Sequence, residues 1–213
     1  MTRSRLVLRA LGYYWRTNLA VVAGVATAVA VLSGALLVGD SVRGSLRDLV
    51  VERLGRAEST VTSTSFFREA LAADLGGTPL IAMPGAVAEQ ESGRRASGVQ
   101  VYGVDDRFWI FHGVTVSGPR DGDAFVSEAL AREIGASADR TILVRVEKPS
   151  AIPIESLHGR KDDEGRTLRL TVRTVLDRAQ MGEFSMRPQQ GDVLAVFVPL
   201  SRMQQELSKA RFV

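Results

Sequence analysis

Residues 17–39 read TNLAVVAGVATAVAVLSGALLVG, 23 positions without one ionisable side chain, held between Arg16 and Asp40. As an α-helix the stretch spans roughly 34 Å, enough for a hydrocarbon core of about 30 Å. A helix also pairs its own backbone N–H and C=O groups, which lipid cannot do for it. The stretch is therefore expected to be a transmembrane helix, and the chain a membrane protein anchored near its N-terminus.

The flanks orient the span. Arg3, Arg5, Arg9 and Arg16 precede it and no acidic residue occurs before Asp40, whereas Asp40, Arg43, Arg47, Asp48, Glu52 and Arg53 mix signs on the far side. Basic residues favour the cytoplasmic side. Residues 1–16 are thus expected to be a cytoplasmic basic lead, and the 174 residues after Gly39 to lie in a periplasm or outside the cell. Tyr13, Tyr14 and Trp15 stand where an interfacial aromatic belt belongs. A cleaved signal peptide is the alternative, with Ser33-Gly34-Ala35 as its small-residue site. The apolar region of such a peptide usually covers about 7–15 residues. This run continues through Leu36, Leu37 and Val38, so its length favours a retained anchor. Within the span, Ala20, Gly24 and Ala28, and again Ala26, Ala30 and Gly34, recur every fourth position. Such rows let membrane helices approach closely, but they also arise by chance in a span rich in Ala and Gly.

The formal charge of +3 is concentrated in the lead, since the rest of the chain carries 23 basic and 24 acidic residues. A nucleic-acid surface needs a concentrated basic face, and none is visible. The absence of cysteine excludes structural disulfides and Cys-based metal sites, without fixing the compartment. The part beyond the span is long enough to bury a core of its own.

Beyond the span, Val42, Leu46, Leu49, Val50 and Leu54 fall on one face of a helix, with charged residues opposite. This predicts a stalk helix over 40–56, with Gly44 as a place for a kink. The remaining 57–213 is mixed. Ser59–Thr64 reads as a short strand, Ser65 as the cap of a helix over Phe66–Leu75 ended by Gly76-Gly77, and Pro79–Gln90 as a strand pair or a strand bent at Pro84-Gly85. Glu91–Arg95 is a turn and Gly98–Val104 a strand; Asp105–Gly113 holds an aromatic group of Phe108, Trp109 and Phe111. Ser127 caps a helix through Ile134. Thr141–Glu147, Leu168–Leu176 and Val193–Val198 alternate as strands, separated by polar loops over 149–167 and 177–191. An amphipathic helix covers Leu200–Lys209. The fold class is α+β: one N-terminal transmembrane helix with a helical stalk, then a mixed domain with a strand-rich C-terminal subdomain from about residue 140.

Residues with catalytic or ligating chemistry are scattered. His112 and His158 lie 46 positions apart in no ligand spacing. Asp162, Asp163 and Glu164 lack the alternation of a calcium loop and are flanked by Arg160, Lys161 and Arg166, as a solvated loop would be. There is no nucleophile elbow and no phosphate-binding loop; Gly39-Asp-Ser-Val-Arg-Gly44-Ser lacks the lysine such a loop requires. No catalytic, cofactor-binding or metal-binding residue is assigned, no cofactor is expected, and the chain is not expected to be an enzyme.

Several segments carry a family likeness. The Arg-rich start, early span and stalk are similar to those of the MacB/FtsX class of ABC-transporter permeases. The outer part resembles the MacB-like periplasmic core domain through VYGVDDRFW at 101–109, SEALAREIGA at 127–136 and VFVPLSRMQ at 196–204. Ala138-Asp139 stands where the family usually has a Gly-Asp turn. The resemblance implies a dimeric permease, homodimer or heterodimer, in the inner membrane. Such a permease pairs with a separate cytoplasmic ATPase and passes that subunit's conformational work to the periplasm; it implies no catalytic residues here and no substrate.

Residues 1–213 are accordingly expected to be the N-terminal part of such a permease. The lead of about 16 residues is too small for a standard interface of roughly 800 Å² per partner, and the last residues, Arg211-Phe212-Val213, follow an amphipathic helix as if a strand were beginning. The reading frame is therefore expected to continue into further periplasmic sequence and membrane helices. The rival is a single-pass, membrane-anchored periplasmic binding or adaptor protein without an ATPase.

Overall fold

A computed structural model describes residues 3–147 and 165–213. Most of the polar loop expected over 149–167, with His158 and the run Asp162–Glu164, lies outside them. The chain divides into two units, residues 1–49 and 50–213.

In the first unit, α1 (Arg3–Tyr13) is followed at once by α2 (Trp15–Leu54). Tyr14 N–H donates to Ala10 O at 3.0 Å and Asn18 N–H to Tyr14 O at 2.9 Å, so the ladder crosses the junction. The expected span and stalk are one 40-residue helix, which passes through Gly44 without interruption. No charged residue breaks its apolar part, where Leu19, Val22, Leu32 and Leu36 are exposed. By length and composition α2 is able to cross a membrane.

The second unit is built on six strands: β1 (Ile81–Glu89), β2 (Arg95–Val104), β3 (Asp123–Ser127), β4 (Thr141–Glu147), β5 (Gly165–Leu176) and β6 (Ala195–Pro199). They close into a barrel in the order β1-β2-β6-β3-β5-β4, with β2–β6 and β3–β5 parallel and the other pairs antiparallel. Closure leaves no sheet edge to be covered. The α+β class stands, and the strand-rich C-terminal part completes this barrel with β1–β3 instead of standing beside them. Pro79–Gln90 is one bent strand, its register shifting between Gly85 and Ala86.

Alternation sorts the faces. Ile142, Val144 and Val146 on β4 and Leu168, Leu170 and Val172 on β5 point into the barrel, where they meet Val99, Val101, Val126 and Val196. The helices α5 (Glu128–Ile134) and α6 (Leu200–Glu206) add Leu130, Ile134 and Met203 to the same core. Each such side chain contributes about 1.5–3 kcal/mol by leaving water. On β2, β6 and β3 the outer face is buried too. Tyr102, Phe197 and Phe125 lie beneath Phe108 and Trp109 of α4 (Asp106–His112) and beneath Phe184 and Val193 of the loop before β6. This second, aromatic layer explains why β3 carries no alternation to read: four of its five residues are buried.

Two expectations fail between residues 59 and 75. Ser59–Thr64 forms no strand, since its exposed residues meet no ladder. The helix expected over Phe66–Leu75 is only α3 (Ala70–Asp74), and Ser65 does not cap it. Phe66 and Phe67 instead pack against the barrel core, and Phe67 exchanges two 2.9 Å backbone bonds with Val213. Burial of two aromatic rings outweighs one more helical turn. The helix over 200–209 likewise ends earlier than expected, at Glu206. The Asp105–Gly113 aromatic group is a helix, α4, whose N-cap Asp105 accepts from Arg107 N–H at 2.9 Å.

Candidate functional site

The second unit begins at Val50, so the last turn of α2 belongs to it. There Arg53, three and four positions after Val50 and Leu49, falls on the apolar face of the stalk and not among the charged residues opposite, and it is 7% exposed. Its Nη1 donates to Gln189 O at 2.6 Å and its Nη2 to Gly191 O at 2.9 Å. Nε has no hydrogen-bond partner but lies 3.7 Å from Glu183 Oε2. Arg53 O in turn accepts from Ser185 N–H at 3.4 Å. All four partners sit in the loop over 177–191. A cation at a helix C-terminus also meets the negative end of the macrodipole. Charge-assisted bonds contribute about 1.5–3 kcal/mol, and removing the guanidinium from water costs several. The two nearly offset, so the main consequence is selectivity: another seating would bury that charge unpaired.

The loop is shaped to receive the helix end. Gln180 N–H donates to Asp177 Oδ1 and Gly182 N–H to Asp177 O, both at 2.8 Å. A Cβ on Gly182 would come within 2.2 Å of Leu176 O, so the turn excludes every other residue. Arg178 pairs with Glu52 and lies 3.9 Å from Glu183. These groups, with Ala179, Met181 and Phe184, line a cavity of about 310 Å³.

After Leu54 the chain turns at Gly55, with φ +61°. A side chain there would stand 2.6 Å from His112 Nδ1 and 2.8 Å from Met181 Cε. Arg56 N–H then donates to His112 Nδ1 at 3.3 Å. The imidazole is buried against Phe108, Phe111 and Phe184, with ring centroids 4.6, 5.1 and 5.5 Å away. Burial, with the Arg56 charge beside it, pushes its pKa down to about 4. His112 is therefore neutral at pH 7, with the acceptor nitrogen facing Arg56.

Among the described residues no three His, Asp or Glu side chains converge on a metal-sized site. His112, which stands in no ligand spacing in the sequence, becomes part of the seat for the helix end. Arg53 was not singled out, although its spacing of three, four and seven positions from Val50, Leu49 and Leu46 puts it on the apolar face of the stalk. That spacing, with a basic residue in the last turn before a glycine, was the signal that could have found it. The partner loop, more than a hundred positions away, left no trace in the stalk sequence.

No family model matches the chain, and no curated protein matches it. Among solved structures it is similar to the periplasmic region of MacB from Actinobacillus actinomycetemcomitans, with 11% identity and a TM-score of 0.41, over 69% of this chain and 61% of that one. The chain thus spans less than two thirds of the length of the structure it matches. The likeness is distant, and the family resemblance read from the sequence stays a resemblance.

Proposed function

We propose that this chain is part of a membrane permease of the MacB/FtsX class, and that its work is mechanical. The basic lead lies in the cytoplasm, α2 crosses the inner membrane, and the barrel unit stands on the far side. Movement imposed on α2 by a separate cytoplasmic ATPase reaches the barrel through the helix end. The observation that carries this reading is the seating of Arg53: the same helix that holds the apolar stretch ends with a buried guanidinium clasped by two carbonyls. A flexible tether has no use for such a clasp, whereas a lever requires a rigid end. The barrel itself performs no catalysis, and the permease works as a dimer.

The test is purification of the full-length protein from its native membranes in mild detergent. A P-loop ATPase should accompany it, and Arg53→Ala should leave that association intact while lowering transport-linked function at least tenfold. A protein that is functional with no ATPase bound would overturn the proposal and favour the single-pass adaptor.

A further inference from the structure

The seat of the helix end depends on one unprotonated nitrogen. Arg56 N–H is a donor, and it points at His112 Nδ1 from 3.3 Å. A proton added at Nδ1 would set donor against donor and place an imidazolium beside a second cation. Neither conflict can be relieved by a small shift, because Gly55 and Met181 fill the adjoining space and the ring is enclosed by Phe108, Phe111 and Phe184. We infer that His112 makes the seat an acid-sensitive latch, in which protonation at Nδ1 frees residues 55 and 56 and loosens the helix end from the barrel unit.

The charges around the ring support this. From the helix end the charged group facing it is Arg56, whose guanidinium lies against Gly113. The loop over 177–191 brings Met181 and Phe184, while its Arg178 and Glu183 are engaged with Glu52 and Arg53. On α4, Asp106 pairs with Arg120 and Arg107 with Asp105 and Glu69, all at the opposite end of the helix. Among the described residues, no carboxylate is therefore paired with His112 to hold a proton in the closed seat. The freed ring returns to ordinary solution behaviour, near pKa 6.5. Proton binding then favours the open seat across the interval from about pH 6.5 to about pH 4. The inference adds a control to the mechanical role proposed above, but its test reads the seat alone and stands whether or not an ATPase drives it.

The experiment is hydrogen exchange at single-amide resolution on the full chain in nanodiscs. Between pH 7 and about pH 4.5 the protection factor of the Arg56 amide, corrected for intrinsic exchange, should fall about 10²-fold or to the unprotected limit. The Val126 amide, inside the barrel, should not follow it. His112→Asn keeps an acceptor oxygen near the position of Nδ1 and cannot titrate, so its Arg56 protection should be flat with pH. Three outcomes would overturn the latch: flat protection in the unmodified chain, an equal fall in His112→Asn, or a parallel fall at Val126. The first and third need no variant.

Discussion

Arg53 and Gly191 lie 138 positions apart in sequence and are joined by a 2.9 Å hydrogen bond from guanidinium to carbonyl. With the companion bond to Gln189, this fixes the last turn of a 40-residue helix to one loop of a barrel. Substituting Arg53 with Ala removes both bonds and leaves a void, and should destabilise the domain by about 2–3 kcal/mol. Arg53→Met fills the space without a buried charge and should cost less than about 1 kcal/mol. Thermal unfolding of the full chain in detergent measures both. Equal losses would mean that the two hydrogen bonds, and not the filled space, hold the helix end.

Gly55 meets two constraints at once, a left-handed backbone and a wall formed by His112 and Met181. Gly55→Ala should therefore cost about 2–4 kcal/mol, combining backbone strain with overpacking. The same unfolding measurement should show it. A loss below about 1 kcal/mol would mean that the wall yields and the seat is soft.

Ser127 joins three elements through one hydroxyl. It accepts from Leu130 N–H at 3.2 Å as the cap of α5 and from Ala195 N–H at 3.1 Å, and it donates to Val193 O at 2.8 Å. Ser127→Ala strands a buried donor and acceptor besides removing the cap, and should cost about 2–4 kcal/mol. Slowed exchange of the Ala195 amide in the variant would contradict this.

Much of this was legible in the sequence and some was not, for physical reasons. Local signals carried the apolar run, the Ser127 cap and Thr141–Glu147, where one face is buried and the other wet. They failed at Asp123–Ser127, because strands buried on both faces do not alternate. They failed again at Phe66–Phe67, where pairing with Val213 replaced the expected helical turn. The seat was the least visible part. Its two halves are far apart in sequence, and although Arg53 sits on the apolar face of the stalk, nothing local says which loop receives it.

Glu69 supplies a pH signature. Burial alone would raise its pKa, but hydrogen bonds from Arg107 and Gln204 and the nearby positive charge of Arg107 more than offset that and hold it below the ordinary 4.5. A carboxylate whose pKa is lowered on folding contributes stability that is present above the unfolded value and lost as pH falls through the folded one. The stability difference between the unmodified chain and Glu69→Gln should be largest above about pH 5 and shrink steadily below 4.5. Following Tm of both from pH 7 to pH 3 separates this from His112, which is common to both proteins. A constant difference would show that the carboxylate's charge is not used.

The most direct measurement is the side of the membrane on which the barrel unit stands. An alkaline phosphatase fused after Val61 should be active and one fused after Arg16 inactive, since four arginines precede the span and no acid does. The reverse pattern would put the barrel in the cytoplasm and contradict the permease assignment, whereas an active Val61 fusion whose product begins near Leu36 would show a cleaved leader in place of the anchor.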